Sequence, residues 1–208
     1  GMRAVTLQPA AGAQGELAGI LMIRAYHRSR GDHQRDEVLV PDSSHGTTPA
    51  TASMAGYKTV TIPSAPDGGV DLDAFRAALG PKTAAIMITN PSTLGLFETR
   101  IGELLAAVRE AGALAYYDGA NLNAILGKFK PGEAGFDVMH YNVHKTFSTP
   151  HGGGGPGAGP VVLSAALAPY APYPWIVKNG DTWSVSEDGA KVDGAPIGRL
   201  KAFHGQMG

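Results

Sequence analysis

The chain contains no cysteine. Disulfides, zinc–thiolate centres and thiol nucleophiles are therefore excluded. Charge is sparse: 17% of residues are Asp, Glu, Lys or Arg, and the net charge is −1. That balance excludes a basic nucleic-acid surface and leaves no polybasic membrane patch. No apolar run approaches the length of a membrane span. The opening residues, Gly1-Met2-Arg3-Ala4-Val5, carry no signal or transit pattern. A cytoplasmic protein is expected, with no nucleic-acid or membrane partner, and no metal site is assigned.

Glycine and proline are plentiful, 29 and 15 among 208 residues. They do not form a low-complexity tract but punctuate apolar runs, as loop residues do in an α/β protein. Residues 15–30 have helical spacing at Leu17, Ile20, Leu21 and Ile23 and stop at Gly31. Glu37 to Val40 reads as a strand closed by Pro41. Residues 47–54 read as a short helix with Pro49 in its first turn. Further strands are expected at 57–62, 84–89, 114–117, 138–142 and 160–163, and helices at 72–79, capped by Asp71, and at 101–111. Beyond Lys178 the pattern weakens, with a strand at 183–186 and a turn at Asp188-Gly189. Strands that are apolar on both faces and alternate with helices imply a mostly parallel sheet covered on both sides. In such sheets ligands bind beyond the carboxyl ends of the strands. His45, Asn90, Asp118 and Lys145 all follow strands and are expected at one rim.

The chemistry is concentrated around Lys145. It follows the apolar run 138–143 within Asn142-Val143-His144-Lys145-Thr146-Phe147-Ser148-Thr149-Pro150-His151, and a glycine run, Gly152 to Gly155, comes next. A lysine at a strand end, against a wall stripped of side chains, is placed to form a Schiff base with an aldehyde cofactor. Asp118 ends the run Ala113-Leu114-Ala115-Tyr116-Tyr117. A carboxylate there would keep a pyridine nitrogen protonated, because a nearby opposite charge favours the charged form. The lysine and aspartate are the pair that pyridoxal 5'-phosphate chemistry requires. Gly12-Ala13-Gln14 opens the first helix and presents free N–H groups suited to a phosphate, or is an ordinary helix-opening loop. His45 either stacks on a pyridine ring and guides protons or orders its loop. Asn90 either bonds a cofactor oxygen or shapes its turn, and His144 serves protons or phosphate, or packs.

These segments together resemble the glycine decarboxylase P-protein family of the glycine cleavage system, in its cofactor-binding second subunit. The matching stretches are Thr6-Leu7-Gln8-Pro9, Gly12-Ala13-Gln14-Gly15-Glu16, Pro41-Asp42-Ser43-Ser44-His45-Gly46-Thr47 and Thr89-Asn90-Pro91-Ser92-Thr93-Leu94-Gly95-Leu96-Phe97-Glu98. They continue through Tyr117-Asp118-Gly119-Ala120-Asn121, the Lys145 segment with its glycine run, Pro196-Ile197-Gly198-Arg199 and Phe203-His204-Gly205. Thr48 and Ser92 depart from the family, which usually has asparagine at both positions.

The resemblance implies the large domain of a pyridoxal phosphate-dependent fold type I enzyme, with a seven-stranded, mostly parallel sheet between helices. It implies decarboxylation of glycine and transfer of the aminomethyl group to the lipoyl arm of a carrier H protein. By position, Lys145 resembles the aldehyde-binding lysine, Asp118 the ring-nitrogen partner and His45 the ring-stacking histidine. Gly12, Ala13, Gln14, Asn90, Ala120 and His144 complete the expected cofactor contacts. A partner first subunit and a homo-oligomer are also implied. Residues 1–177 are expected to form the cofactor-binding domain, incomplete at its N-terminus, and 178–208 the start of a truncated small domain. Two other readings are a different fold type I amino-acid lyase, and a catalytically impaired or structural remnant that pairs with a partner subunit.

Overall fold

The computed structural model describes residues 1–147, 157–187 and 194–200. The glycine run, the expected turn at Asp188-Gly189 and Phe203-His204-Gly205 lie outside the described residues. The elements in chain order are β1 (Ala4–Thr6), α1 (Gly12–Ser29), β2 (Glu37–Pro41), α2 (Thr47–Met54), β3 (Lys58–Ile62), α3 (Leu72–Ala78) and β4 (Thr83–Thr89). They continue as α4 (Ile101–Glu110), β5 (Leu114–Asp118), α5 (Pro131–Ala134), β6 (Val138–His140), α6 (Val143–Thr146), β7 (Val161–Leu163), β8 (Trp175–Asn179) and β9 (Thr182–Ser186).

Seven strands form one sheet in the order β1-β7-β6-β5-β4-β2-β3. The pairings among β2, β3, β4, β5 and β6 are parallel, and β7 runs antiparallel to both neighbours. The expected mostly parallel, seven-stranded α/β architecture is therefore present. Apart from Ala84, which joins the same core as Ala85, the strand residues divide by parity. Val38, Val40, Ala85, Met87, Leu114, Tyr116 and Val138 join the core beneath α1 and α2. Leu39, Ile86, Ile88, Ala115, Tyr117 and Met139 join the opposite core with Phe75 of α3 and Leu104, Leu105 and Val108 of α4. Both faces are buried, which is why these strands read as continuous apolar runs rather than alternating ones.

Local signals explain several boundaries. The Asp71 carboxylate accepts from the N–H groups of Asp73 and Ala74, capping α3 as expected. α1 begins at Gly12, so the glycine-bearing turn is itself the first turn of the helix. Gly19 lets that helix lie close to the sheet, because a Cβ there would collide with the Tyr116 ring. The strand expected at 138–142 ends at His140. Tyr141 N donates to Pro160 O, but Pro160 has no N–H to return and the ladder stops. Lys145 consequently sits on α6, one helical turn past the strand, and not at the strand end itself.

β1 and β8 were not expected. β1 is three residues long, too short for a periodic signal, and is held by pairing with β7. β8 and β9 form a separate hairpin joined by Gly180-Asp181, with Gly180 at φ +60°. The division expected between residues 177 and 178 falls inside β8. Among the described residues, no helix is long and apolar enough to cross a membrane.

Candidate active site

Thr89, Asp118 and His140 are direct cross-strand neighbours at the carboxyl ends of β4, β5 and β6. Their parity puts all three on the α1 side of the sheet. Thr89 Oγ1 donates to Asp118 Oδ2 at 2.9 Å, and Ala120 N donates to Oδ1 at 3.0 Å. His140 Nε2 faces Oδ1 at 3.3 Å. Its other ring nitrogen, Nδ1, lies 2.7 Å from the Tyr116 hydroxyl. With Tyr116 donating to Nδ1, the ring proton is on Nε2 and faces the Asp118 carboxylate.

His140 is 1% exposed and Asp118 3%. Burial drives the His140 pKa down to about 4, opposed by the Asp118 charge and helped by Lys145. His140 is therefore held neutral at physiological pH.

α1 lies over this row and adds Glu16, which is 2% exposed. Thr47 and Thr51 of α2 donate their hydroxyls to its two carboxylate oxygens, each at 3.0 Å. Burial pushes its pKa up to about 7, reinforced by Asp118 and opposed by the threonine bonds and Lys145. Polar atoms of Glu16, Asp118 and His140 all fall within 4.8 Å of one another. A neutral imidazole has one lone pair, and that of His140 receives the Tyr116 proton. The trio is a buried cluster in which Glu16 is held by Thr47 and Thr51 and His140 by Tyr116.

Above it opens a cavity of about 650 Å3. Lys145, His144 and Asn142 line one wall, His45 and Thr47 another, Ala11, Gly12 and Ala13 a third, and Asp118 and His140 the floor. Ala120, Thr89 and Ser92 also line it. The expected convergence of His45, Asp118 and Lys145 at one rim is what the fold produces. Lys145 and His45 are exposed side chains, and His144 is half-buried. His144 Nδ1 accepts from Ala158 N at 3.3 Å.

Two expected residues are placed differently. Gln14 accepts from Ala10 N at 2.9 Å and orders the loop before α1. Asn90 is buried behind the wall: its Oδ1 accepts from Glu98 N at 2.9 Å, and its carbonyl accepts from the Tyr117 hydroxyl. Neither lines the cavity.

The cavity suits an anionic, aromatic, aldehyde-bearing group. α1 has no side-chain cap and no acidic residue in its first turn, so its leading N–H groups and positive dipole end face the cavity through Gly12 and Ala13. A Cβ on Gly12 would strike the Asn142 side chain, which only glycine leaves in place. The Oδ1 of Asn142 is buried without a partner among the described residues. So are the hydroxyls of Thr48 and Ser92, the two positions that differ from the resembled family.

Glu16, His140 and Tyr116 were missed as functional groups. Glu16 had a legible signal: it shares the stripe Glu16, Ile20, Ile23, His27, spaced four, three and four apart, and a charge on a buried stripe demands a partner. His140 had a weaker one, a polar residue closing a strand that is otherwise apolar.

Residues 15–155 match the aminotransferase class-V family, and the chain belongs to it. Over its whole length the chain is 61% identical to the probable glycine dehydrogenase (decarboxylating) subunit 2 of Methylococcus capsulatus, covering 42% of that protein. It is 57% identical to the protein so described from Nitrosomonas europaea, covering 43%. The chain thus spans less than half the length of these curated relatives. Among solved structures it resembles an inhibitor-bound glycine decarboxylase (P-protein) of the glycine cleavage system, with a TM-score of 0.68 and 23% identity over 88% of this chain and 41% of that one. A sphingosine-1-phosphate lyase from Burkholderia pseudomallei gives 0.65 and 21%, over 87% and 43%. These likenesses establish the fold, that of the fold type I enzymes.

Proposed function

We propose that this chain is the cofactor-binding core of a pyridoxal phosphate-dependent glycine decarboxylase. The observation that carries the reading is a floor carboxylate, Asp118, set beneath a cavity that also holds Lys145 and the uncapped start of α1. The relatives described as glycine dehydrogenase (decarboxylating) subunit 2 support glycine as the substrate. Pyridoxal phosphate, when bound, supplies an aldehyde for the amine and a ring that takes up the electron pair released as a bond to the α-carbon breaks.

The chain's residues have separate tasks in this reading. Gly12 and Ala13 offer backbone N–H groups to the phosphate at the positive end of α1. Lys145 would be the amine that holds the aldehyde. Asp118 accepts from Thr89 and Ala120 and faces His140, and its remaining acceptor capacity would hold a protonated ring nitrogen, whose charge the carboxylate would stabilise. His45 would stack on the ring, and Ala120 and His144 line the cavity around it. Asn90 and Gln14 act through the loops they order. Loss of carbon dioxide from glycine leaves an aminomethyl group, which passes to the lipoyl arm of a carrier H protein.

The partners in this reading are glycine, the H protein, a first subunit of the same enzyme and a second copy of this chain. The seven-stranded sheet and its helices form the cofactor-binding unit, and the β8–β9 hairpin leads into a second. The direct test is exchange of the glycine carboxyl with bicarbonate, measured with pyridoxal phosphate, the partner subunit and lipoyl carrier present. Exchange that requires all of these supports the reading. No exchange, together with no yellow colour when the chain is soaked in pyridoxal phosphate, rejects it.

A further inference from the structure

We propose that Glu16 is the proton store of this site and exchanges its proton with His45 through the hydroxyl of Thr47. The path is continuous. His45 Nδ1 lies 2.9 Å from Thr47 Oγ1, and Thr47 Oγ1 lies 3.0 Å from Glu16 Oε1. One end is buried beside Asp118; the other is exposed at the cavity mouth.

Two carboxyl groups share this floor, and two like charges held close cannot both ionise freely. Asp118 accepts a backbone N–H, that of Ala120, besides the Thr89 hydroxyl, and a backbone N–H serves only an acceptor oxygen. Glu16 has only two hydroxyl partners, and both are donor–acceptor groups that serve either protonation state. The proton therefore resides on Glu16, in keeping with its displacement toward neutrality by burial and by Asp118.

Transfer balances atom by atom. The Glu16 O–H bond breaks as its proton passes to Thr47 Oγ1. The original Thr47 hydroxyl proton passes to His45 Nδ1, which gives up its 3.2 Å bond from Thr47 N. Glu16 becomes the anion and His45 the cation. His45 then releases a proton from Nε2 toward the cavity and remains as the other tautomer. The groups that bias this equilibrium come from each neighbouring element. They are Asp118 and Tyr116 on β5, His140 on β6, and His144 and Lys145 on α6. β4 and β7 present no titratable side chain there.

A decarboxylation leaves an electron pair on carbon, so a held proton has a use at that point; this use rests on the function proposed above. The relay itself is a property of the chain without cofactor, and that is how it is tested. The His45 ring protons are followed by NMR across pH in the cofactor-free chain, with the His45 signal identified by its loss in His45→Gln. In the unaltered chain the His45 ring-proton shifts should respond to the same ionisation that removes a carboxyl C=O infrared band near neutral pH. Glu16→Gln should abolish both the band and that response. Thr47→Val should keep the band but remove the response at His45, and Thr47→Ser should restore it. An identical His45 curve in the unaltered, Glu16→Gln and Thr47→Val chains overturns the relay. Pyridoxal phosphate added to the unaltered chain is the control on the cofactor reading: no colour would reject that reading while leaving the relay result standing.

Discussion

Asp118 Oδ1 and His140 Nε2 lie 3.3 Å apart with both side chains almost wholly buried. Cross-strand register makes the pair: the two residues are directly opposite on β5 and β6. Tyr116, two residues before Asp118 on the same face, closes the other side of the imidazole. A carboxylate–imidazole–phenol chain fixes the tautomer of the histidine and hence the direction in which it supports Asp118.

Tyr116→Phe tests this chain. It removes the donor to His140 Nδ1 and leaves a buried nitrogen unpaired, which costs about 1–3 kcal/mol. Denaturant unfolding should show that loss, and affinity for pyridoxal phosphate should fall with it. Unchanged stability and affinity would mean that the phenol does not hold the imidazole.

Lys145 should carry the label when the chain is incubated with pyridoxal phosphate, reduced with borohydride and mapped by peptide mass. Lys145→Arg keeps the charge and should abolish labelling. Transfer of the label to Lys128 or Lys130 in the unaltered chain would remove Lys145 from its assigned role.

Asp118→Asn keeps the shape and removes the charge. Cofactor should still bind in part, while glycine–bicarbonate exchange should drop on the order of 10²- to 10³-fold, the usual cost of losing one preorganised electrostatic contact. Exchange at the unaltered rate would reject the ring-nitrogen role.

Glu16 gives a pH signature in stability. Its pKa rises from the ordinary 4.5 to about 7 on folding, so the folded chain holds a proton that the unfolded chain releases between those values. Its contribution is fully favourable below pH 4.5 and is lost as pH rises to about 7. The loss over that window is on the order of 3 kcal/mol. Comparing unfolding free energies of the unaltered and Glu16→Gln chains at pH 5 and pH 8 isolates it, since His140 and the other buried groups titrate in both. A difference between the two chains that does not change with pH would refute the raised value.

Sequence alone settled what depends on neighbours along the chain. The helices expected at 47–54 and 101–111 followed from spacing and stop signals, the second ending one residue earlier, and α3 from the Asp71 cap. The buried strands β2, β4 and β5 followed from runs apolar on both faces. It also showed that His45, Asp118 and Lys145 follow strands, and parallel topology then brings such residues to one rim.

Sequence could not show register. Thr89, Asp118 and His140 are 29 and 22 residues apart, and only strand pairing places them side by side. The same holds for Glu16. Its partners Thr47 and Thr51 are on another helix, and its nearness to Asp118 depends on how closely α1 approaches the sheet. Asn90 and Gln14 sit in motifs beside the cavity, yet their side chains are turned into the loops. Periodicity reports which face of an element is buried. Which buried groups share a proton depends on distances between elements, and those exist only once the chain is packed.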